Sequence, residues 1–299
     1  MKTYVALISL ILAALLLITF TVAQAQKIDH PNSHLLISAE DAAEFVFNDS
    51  YIFVDMRAEG FHESHVPGAV WFGGARALVD TTHAFSDFLI DSDDFQVLMR
   101  MIGISNNTNI IIYDDGTGLG SARLFFALEL HGHEHIQVIN GGFASWTAHE
   151  LEVSSSVAIP NYGSFTALYT PERTCDVTFI IESLTNENIV ILDARSPEEF
   201  SGEEKRAERA GHIPNAVNIE WRNFVTDSEN PYFKTAAEIE NLLIEAGITP
   251  EKEVVTHCQT NVRGSHAYFV LRLMGYEGVR SFEGSWSEWG NRADTPINR

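Results

Sequence analysis

Val54-Asp55-Met56-Arg57, followed by His65-Val66-Pro67-Gly68-Ala69-Val70, returns in altered form as Leu192-Asp193-Ala194-Arg195, followed by His212-Ile213-Pro214-Asn215-Ala216-Val217. The echo continues further on, where Gly141-Gly142-Phe143-Ala144-Ser145-Trp146 is answered by Gly284-Ser285-Trp286-Ser287-Glu288-Trp289. From 115 to 146 the two halves align without a gap at an offset of 143 residues, which sets Asp115 opposite Cys258 and Trp146 opposite Trp289. A period this long marks one domain duplicated, not a short solenoid unit. The halves span 26–152 and 175–299. Between them, 153–174 holds three serines at 154–156 together with Pro160, Gly163 and Pro171, and reads as a linker.

Within each half, short β-rich runs alternate with helical stretches. Strands are expected over 52–54, 110–113 and 135–139, with counterparts at 189–192, 254–257 and 278–282. These runs are nearly continuous and β-branched, as in strands buried on both faces. Apolar residues at helical spacing mark 39–47, 121–131, 236–246 and 264–274. Strand–helix–strand alternation predicts an α/β fold, with a mainly parallel sheet flanked by helices in each half. Ligands of such sheets sit beyond the carboxyl ends of the strands. Attention therefore falls on two loops, 114–120 and 257–264.

Composition narrows the function. The 299 residues are 45% hydrophobic, enough for a sizeable core, and carry 19 Lys plus Arg against 41 Asp plus Glu, a formal charge of −22. A surface so acidic repels phosphate backbones, which excludes a general nucleic-acid binder. Two cysteines are too few for a disulfide scaffold or a four-thiolate zinc site. At the start, Lys2 precedes an uncharged apolar run over 4–22, and Ala23-Gln24-Ala25 supplies the small residues of a cleavage site. Residues 1–25 are expected to be a signal peptide, although the run is also long enough for an anchor. The mature protein is expected in an exported, periplasmic-type compartment, off the membrane, where thiols tend to be oxidised.

The loop His257-Cys258-Gln259-Thr260-Asn261-Val262-Arg263-Gly264 follows an expected strand and precedes an expected helix. A loop so placed turns successive N–H groups inward at the positive end of a helix. That setting, with Arg263 nearby, favours the thiolate, the nucleophilic form of cysteine. A lone cysteine is more often a small buried hydrophobe. Position and the arginine five residues on select Cys258 as the catalytic nucleophile.

The duplicated half, the Asp-x-Arg after an early strand, Gly211-His212-Ile213-Pro214-Asn215-Ala216-Val217 and the six-residue loop from Cys258 together resemble the rhodaneses. The tandem-domain sulfurtransferases of thiosulfate and 3-mercaptopyruvate type are the similar group. The resemblance implies two rhodanese-like domains, the second catalytic and the first not. It implies a cysteine persulfide that passes its sulfur to cyanide or a thiol, and no cofactor or metal. Asp115, opposite Cys258, cannot form a persulfide. By the same resemblance Arg195 binds the small anionic donor; from its place in the loop Arg263 is expected to hold it too, with Gln259, Thr260, Asn261 and Val262 completing the loop around it and Asp193 supporting by hydrogen bonds. Mercaptopyruvate-type loops resemble Cys-Gly-Ser/Thr-Gly-Val-Thr. Here the loop is Cys-Gln-Thr-Asn-Val-Arg, and its fixed cation suits a dianion such as thiosulfate. A persulfide carrier serving a protein acceptor is the alternative. Cysteine phosphatases and arsenate reductases are a more distant one, since phosphatases of similar fold use Cys-x5-Arg where this chain has Cys-x4-Arg.

Other features read as bland. Gly116, Gly118 and Gly120 imitate a dinucleotide loop at the wrong spacing. His131, His133 and His135 lack a fourth metal ligand and read as an exposed turn. The segment 201–210, absent from the first half, carries Lys205, Arg206 and Arg209 and reads as a solvated turn, with a place at the site entrance as the other possibility. Arg222, after Glu220-Trp221, is a weak candidate for the mouth. Cys175 reads as an incidental thiol.

Overall fold

The structure, a computed structural model, describes residues 28–85, 88–228 and 230–299. The leader expected over 1–25 lies outside the described residues. The first half contributes strands β1 (Leu36–Ile37), β2 (Tyr51–Asp55), β3 (Val70–Trp71), β4 (Asn109–Tyr113) and β5 (Ile136–Ile139). Its helices are α1 (Ala39–Ala43), α2 (Ser92–Met101), α3 (Leu119–Leu130) and α4 (Gly142–Ala148). The second half repeats the plan with β6 (Thr174–Cys175), β7 (Ile189–Asp193), β8 (Val217–Asn218), β9 (Glu253–His257) and β10 (Val279–Phe282). Its helices are α5 (Val177–Ser183), α6 (Pro197–Ser201), α7 (Ala236–Glu245), α8 (Val262–Leu273) and α9 (Ser285–Trp289). Strand orders are β1-β5-β4-β2-β3 and β6-β10-β9-β7-β8, and every pairing is parallel.

Alternate residues of the central strands face two different cores, which is why those strands are apolar throughout. Phe53, Ile111 and Tyr113 pack outward against Trp146 and Phe143. Val54, Ile110 and Ile112 face the opposite way, into a core shared with the second domain. Helices α3 and α8 fill that shared core and are buried nearly all round. Phe125 meets Phe269 edge-on at 4.8 Å, and Phe126 meets Tyr268 at 5.0 Å. Truncating either phenylalanine pair member to alanine removes contacts worth about 3–5 kcal/mol. The two domains are thus joined through one apolar interior.

The segment 153–174 is a strap laid along the first domain. Phe165 is buried, and Gly163, Leu168 and Thr170 donate backbone bonds to Arg100, His131 and Leu130. A Cβ at Gly163 would overlap the Ile104 carbonyl, so only glycine permits that approach. Thr174 already belongs to β6.

The exposed histidine turn expected from the sequence is corrected for two of its three residues. His131 and His133 are buried, donating to the Ala127 and Thr108 carbonyls, and His131 stacks on Phe95. Apolar neighbours on α2 and in the strap cover them, which the local spacing did not reveal.

Burial also sets an acid sensitivity. His131, His133, His257 and His266 are pushed below the ordinary histidine range by burial, His266 down to about 3. The unfolded chain takes up these protons near pH 6.5, while burial delays their uptake to lower pH in the folded chain. The unfolded state therefore binds more protons below that pH, and stability falls on acidification. At pH 5 His266 alone accounts for about 2 kcal/mol of the loss. The urea midpoint is expected to drop from pH 7 to pH 5, and His266→Phe, which keeps ring contact with Phe233 and Trp221, flattens that drop. An undiminished drop in the variant contradicts this account.

Candidate active site

Cys258 stands immediately after β9, and the chain turns into α8 three residues later. The turn is made by Asn261, which adopts a left-handed φ of 62°. That conformation is costly for most L residues and least so for asparagine. Helix α9 supports the loop from below: Cys258 N–H donates to Ser285 Oγ at 3.3 Å, and the Cys258 and Gln259 carbonyls accept from Trp286 and Ser287. Cys258 is 1% exposed.

Among the described residues, the backbone N–H groups of Gln259, Thr260, Asn261, Val262 and Arg263 have no acceptor in the protein. The first half shows what such a loop attracts. Asp114, opposite His257, turns its carboxyl group inward and accepts from Gly116 (2.9 Å), Gly118 (3.1 Å), Gly120 (3.0 Å) and Ser121 (3.2 Å). These are the counterparts of Gln259, Asn261, Arg263 and Gly264. One set of loop N–H groups is filled from within by a carboxyl group; the other, in the loop that begins at Cys258, is left without a protein acceptor.

Arg263 leads α8 and is held in a fork by Glu199, at 2.5 and 2.9 Å. Burial opposes its charge, but Glu199 and the adjacent Cys258 sulfur outweigh it and hold the guanidinium more firmly protonated than usual. Glu199 also accepts from Arg206 at 3.3 Å, and burial, which would raise its carboxyl, is overcome by Arg263 first. The cluster therefore carries fixed charges of both signs beside the sulfur.

The rhodanese-like domain family matches this chain twice, over 38–149 and 178–292. The chain is a tandem member of the rhodanese family. Thiosulfate sulfurtransferase of Pseudomonas aeruginosa is 32% identical over 264 residues, covering 88% of this chain and 96% of the relative. The 3-mercaptopyruvate sulfurtransferase of Escherichia coli is 30% identical over 243 residues, covering 80% and 85%. A crystal structure of the Escherichia coli 3-mercaptopyruvate sulfotransferase superposes with a TM-score of 0.75 at 26% identity, covering 84% of this chain and 98% of that one.

In this rhodanese the loop residues Cys258 to Arg263 come together as one turn, but their side chains divide. Gln259 donates its amide to the Arg206 carbonyl, and Asn261 turns away to Ser281 and Glu283. The side chains of these two are thus committed away from the sulfur. Thr260 and Val262 are half-buried at the rim.

Arg195, expected to hold the donor, is placed otherwise. Its guanidinium is buried, bonded to both Asp193 oxygens (2.6–3.0 Å) and to the Gly211 carbonyl, and stacked 4.3 Å over Trp286. Arg57 repeats this in the first half with Asp55, the Ser64 carbonyl and Phe143. The same arrangement is kept where there is no cysteine, so in this structure the geometry commits Arg195 to a brace shared by both halves. Asp193 is that brace's acceptor; burial would raise its carboxyl, but His257 and Arg195 beside it hold it low. Arg222 is largely exposed and pairs with Glu220, outside this cluster.

The insert 201–210 does flank the loop: Arg206 offers its carbonyl to Gln259, while Arg209 donates to the Trp289 and Thr295 carbonyls. Sequence reading missed Glu199. Ser196-Pro197-Glu198-Glu199 reads as a capping box, and both its bonds form. Nothing local shows that the same carboxylate reaches Arg263.

Cys175 lies elsewhere. It opens on a cavity of about 700 Å³ between the domains, walled in part by His131, Phe179, Glu283 and Glu288. Burial pushes its thiol up, leaving it protonated at neutral pH. β10 separates its strand from β9, so its Cα is roughly 10 Å from Cys258 by strand spacing. Disulfides need about 4–7 Å. Both cysteines are free.

Proposed function

We propose that this rhodanese is a sulfurtransferase that moves the outer sulfur of thiosulfate through Cys258 to cyanide or a thiol. The Cys258 thiolate attacks the outer sulfur, a new S–S bond forms, and the donor's S–S bond breaks with its electron pair leaving on sulfite. The acceptor then attacks the terminal persulfide sulfur, and the thiolate is restored. The observation that carries this reading is the run of uncommitted N–H groups in the loop that follows the buried Cys258, whose counterparts in the first half bind a carboxyl group.

Thiosulfate is favoured over 3-mercaptopyruvate because Arg263 puts a fixed cation at the loop, while Gln259 and Asn261 replace the glycines of mercaptopyruvate-type loops. The short Cys-x4-Arg spacing favours sulfur over phosphorus chemistry. Turnover measured side by side is expected to show clear thiosulfate:cyanide transfer, slower transfer from 3-mercaptopyruvate and negligible hydrolysis of an aryl phosphate. Aryl phosphate turnover equal to thiosulfate consumption contradicts the reading. Sulfur loading without turnover to cyanide or small thiols favours the carrier alternative. We also propose export through cleavage after Ala25, supported by Lys2, the apolar run and the small-residue site. The N-terminal sequence of the mature chain tests it.

A further inference from the structure

The duplication is broken at the residues around Asn261. In the first half the left-handed position is Gly118, which takes φ 77° without help from any side chain. In the second half it is Asn261, whose amide donates to Glu283 and whose carbonyl oxygen accepts from Ser281 Oγ at 2.9 Å. Glu283 in turn is gripped from the other domain. Arg123 of α3 forks onto it at 2.8 and 3.2 Å, and Leu89 N–H donates to it at 3.1 Å. Arg123 also reaches Ser265 Oγ at 3.3 Å, the hydroxyl that donates to the Asn261 carbonyl.

The counterparts carry none of this. Opposite Glu283 stands Asn140, and opposite Arg123 stands His266, a neutral ring resting against Gly118. Each domain sends a helix side chain toward the other's loop: from the second a neutral ring, from the first a cation paired with a carboxylate. Arg123 is 1% exposed, so this pair lies out of water, where it is rigid and costly to leave half-made. A Cβ at Gly264 would collide with the Asn261 side chain, so the seat is tight as well.

We infer that the non-catalytic domain acts as a clamp on the catalytic loop: Arg123, through Glu283, fixes the left-handed turn at Asn261 and thereby aims the N–H ring at Cys258. Arg123 and Glu283 are positioning residues. Neither touches the sulfur. The inference rests on the proposed role of Cys258, but one of its tests does not.

The test is a double-mutant cycle in the full chain, with Arg123→Met, Asn261→Gly and the two combined. Glycine takes the left-handed turn without a side chain, so it uncouples the loop from the clamp. Thiosulfate:cyanide kcat and KM are measured well below each variant's melting temperature. Arg123→Met is expected to lower kcat about tenfold with KM within about threefold. In the Asn261→Gly background the same change is expected to cost less than about twofold. Equal losses in both backgrounds, or no loss in folded Arg123→Met, overturn the clamp. Arg123→Lys, which keeps the charge and loses the fork, serves if the methionine variant does not fold, with a smaller loss that also vanishes beside Asn261→Gly. The cycle is repeated with the rate of Cys258 alkylation by iodoacetamide in a Cys175→Ser chain. Non-additive alkylation upholds the clamp even if thiosulfate turnover fails, and additive alkylation overturns it.

Discussion

Cys258→Ser is expected to lose at least about a thousandfold in sulfur transfer, while Cys175→Ser keeps most of the activity. Removing a nucleophile leaves only what binding and N–H donors supply. Serine's oxygen at that site cannot carry a sulfane sulfur. Cys175 lies two strands away, with a thiol that burial keeps protonated. Steady-state assays of both variants decide it. Full activity in Cys258→Ser sinks the assignment, and an inactive but folded Cys175→Ser shows a second thiol in the cycle.

A cysteine restored to the first half is expected to do nothing. Asp115→Cys in a Cys258→Ser chain places a thiol opposite the lost one, yet turnover should stay below a few per cent of the natural protein. Two features of the loop explain this. The Asp114 carboxyl already takes the N–H groups of Gly116, Gly118, Gly120 and Ser121. The place of Arg263 is held by Gly120, so no loop cation is present. Recovery beyond that level means that the first domain has kept a working site and that the carboxyl group is no barrier.

The repeat made the architecture legible. Residues such as Ile110, Ile112, Val254 and Val255 are apolar on successive positions because their strands are covered on both faces. That pattern is local and survives in one sequence. The outer strands β1, β3, β6 and β8 escaped because two residues carry no period. Helix α3 was read as starting at 121, two residues late, because Leu119 and Gly120 look like loop.

The candidate site was legible where chemistry follows position along the chain. Cys258 and Arg263 belong to one strand-to-helix turn, and the spacing alone places them together. Contacts between distant residues were not legible. Glu199 meets Arg263 from 64 residues away, and Glu283 meets Arg123 from 160. Arg195 is an instructive case. Its Asp-x-Arg partner motif was visible in both halves, including the one without a cysteine. The structure gives Arg57 and Arg195 matched bonds, a likeness between the halves that the donor-binding expectation did not use.

The central claim is that Cys258 carries sulfane sulfur as a persulfide within its ring of N–H groups. Intact mass spectrometry after thiosulfate treatment, with peptide mapping under non-reducing conditions, tests it most directly. The account predicts one added sulfur atom, located on Cys258, removed by cyanide and absent from Cys258→Ser. A chain that gains no sulfur, or gains it on Cys175, contradicts the account.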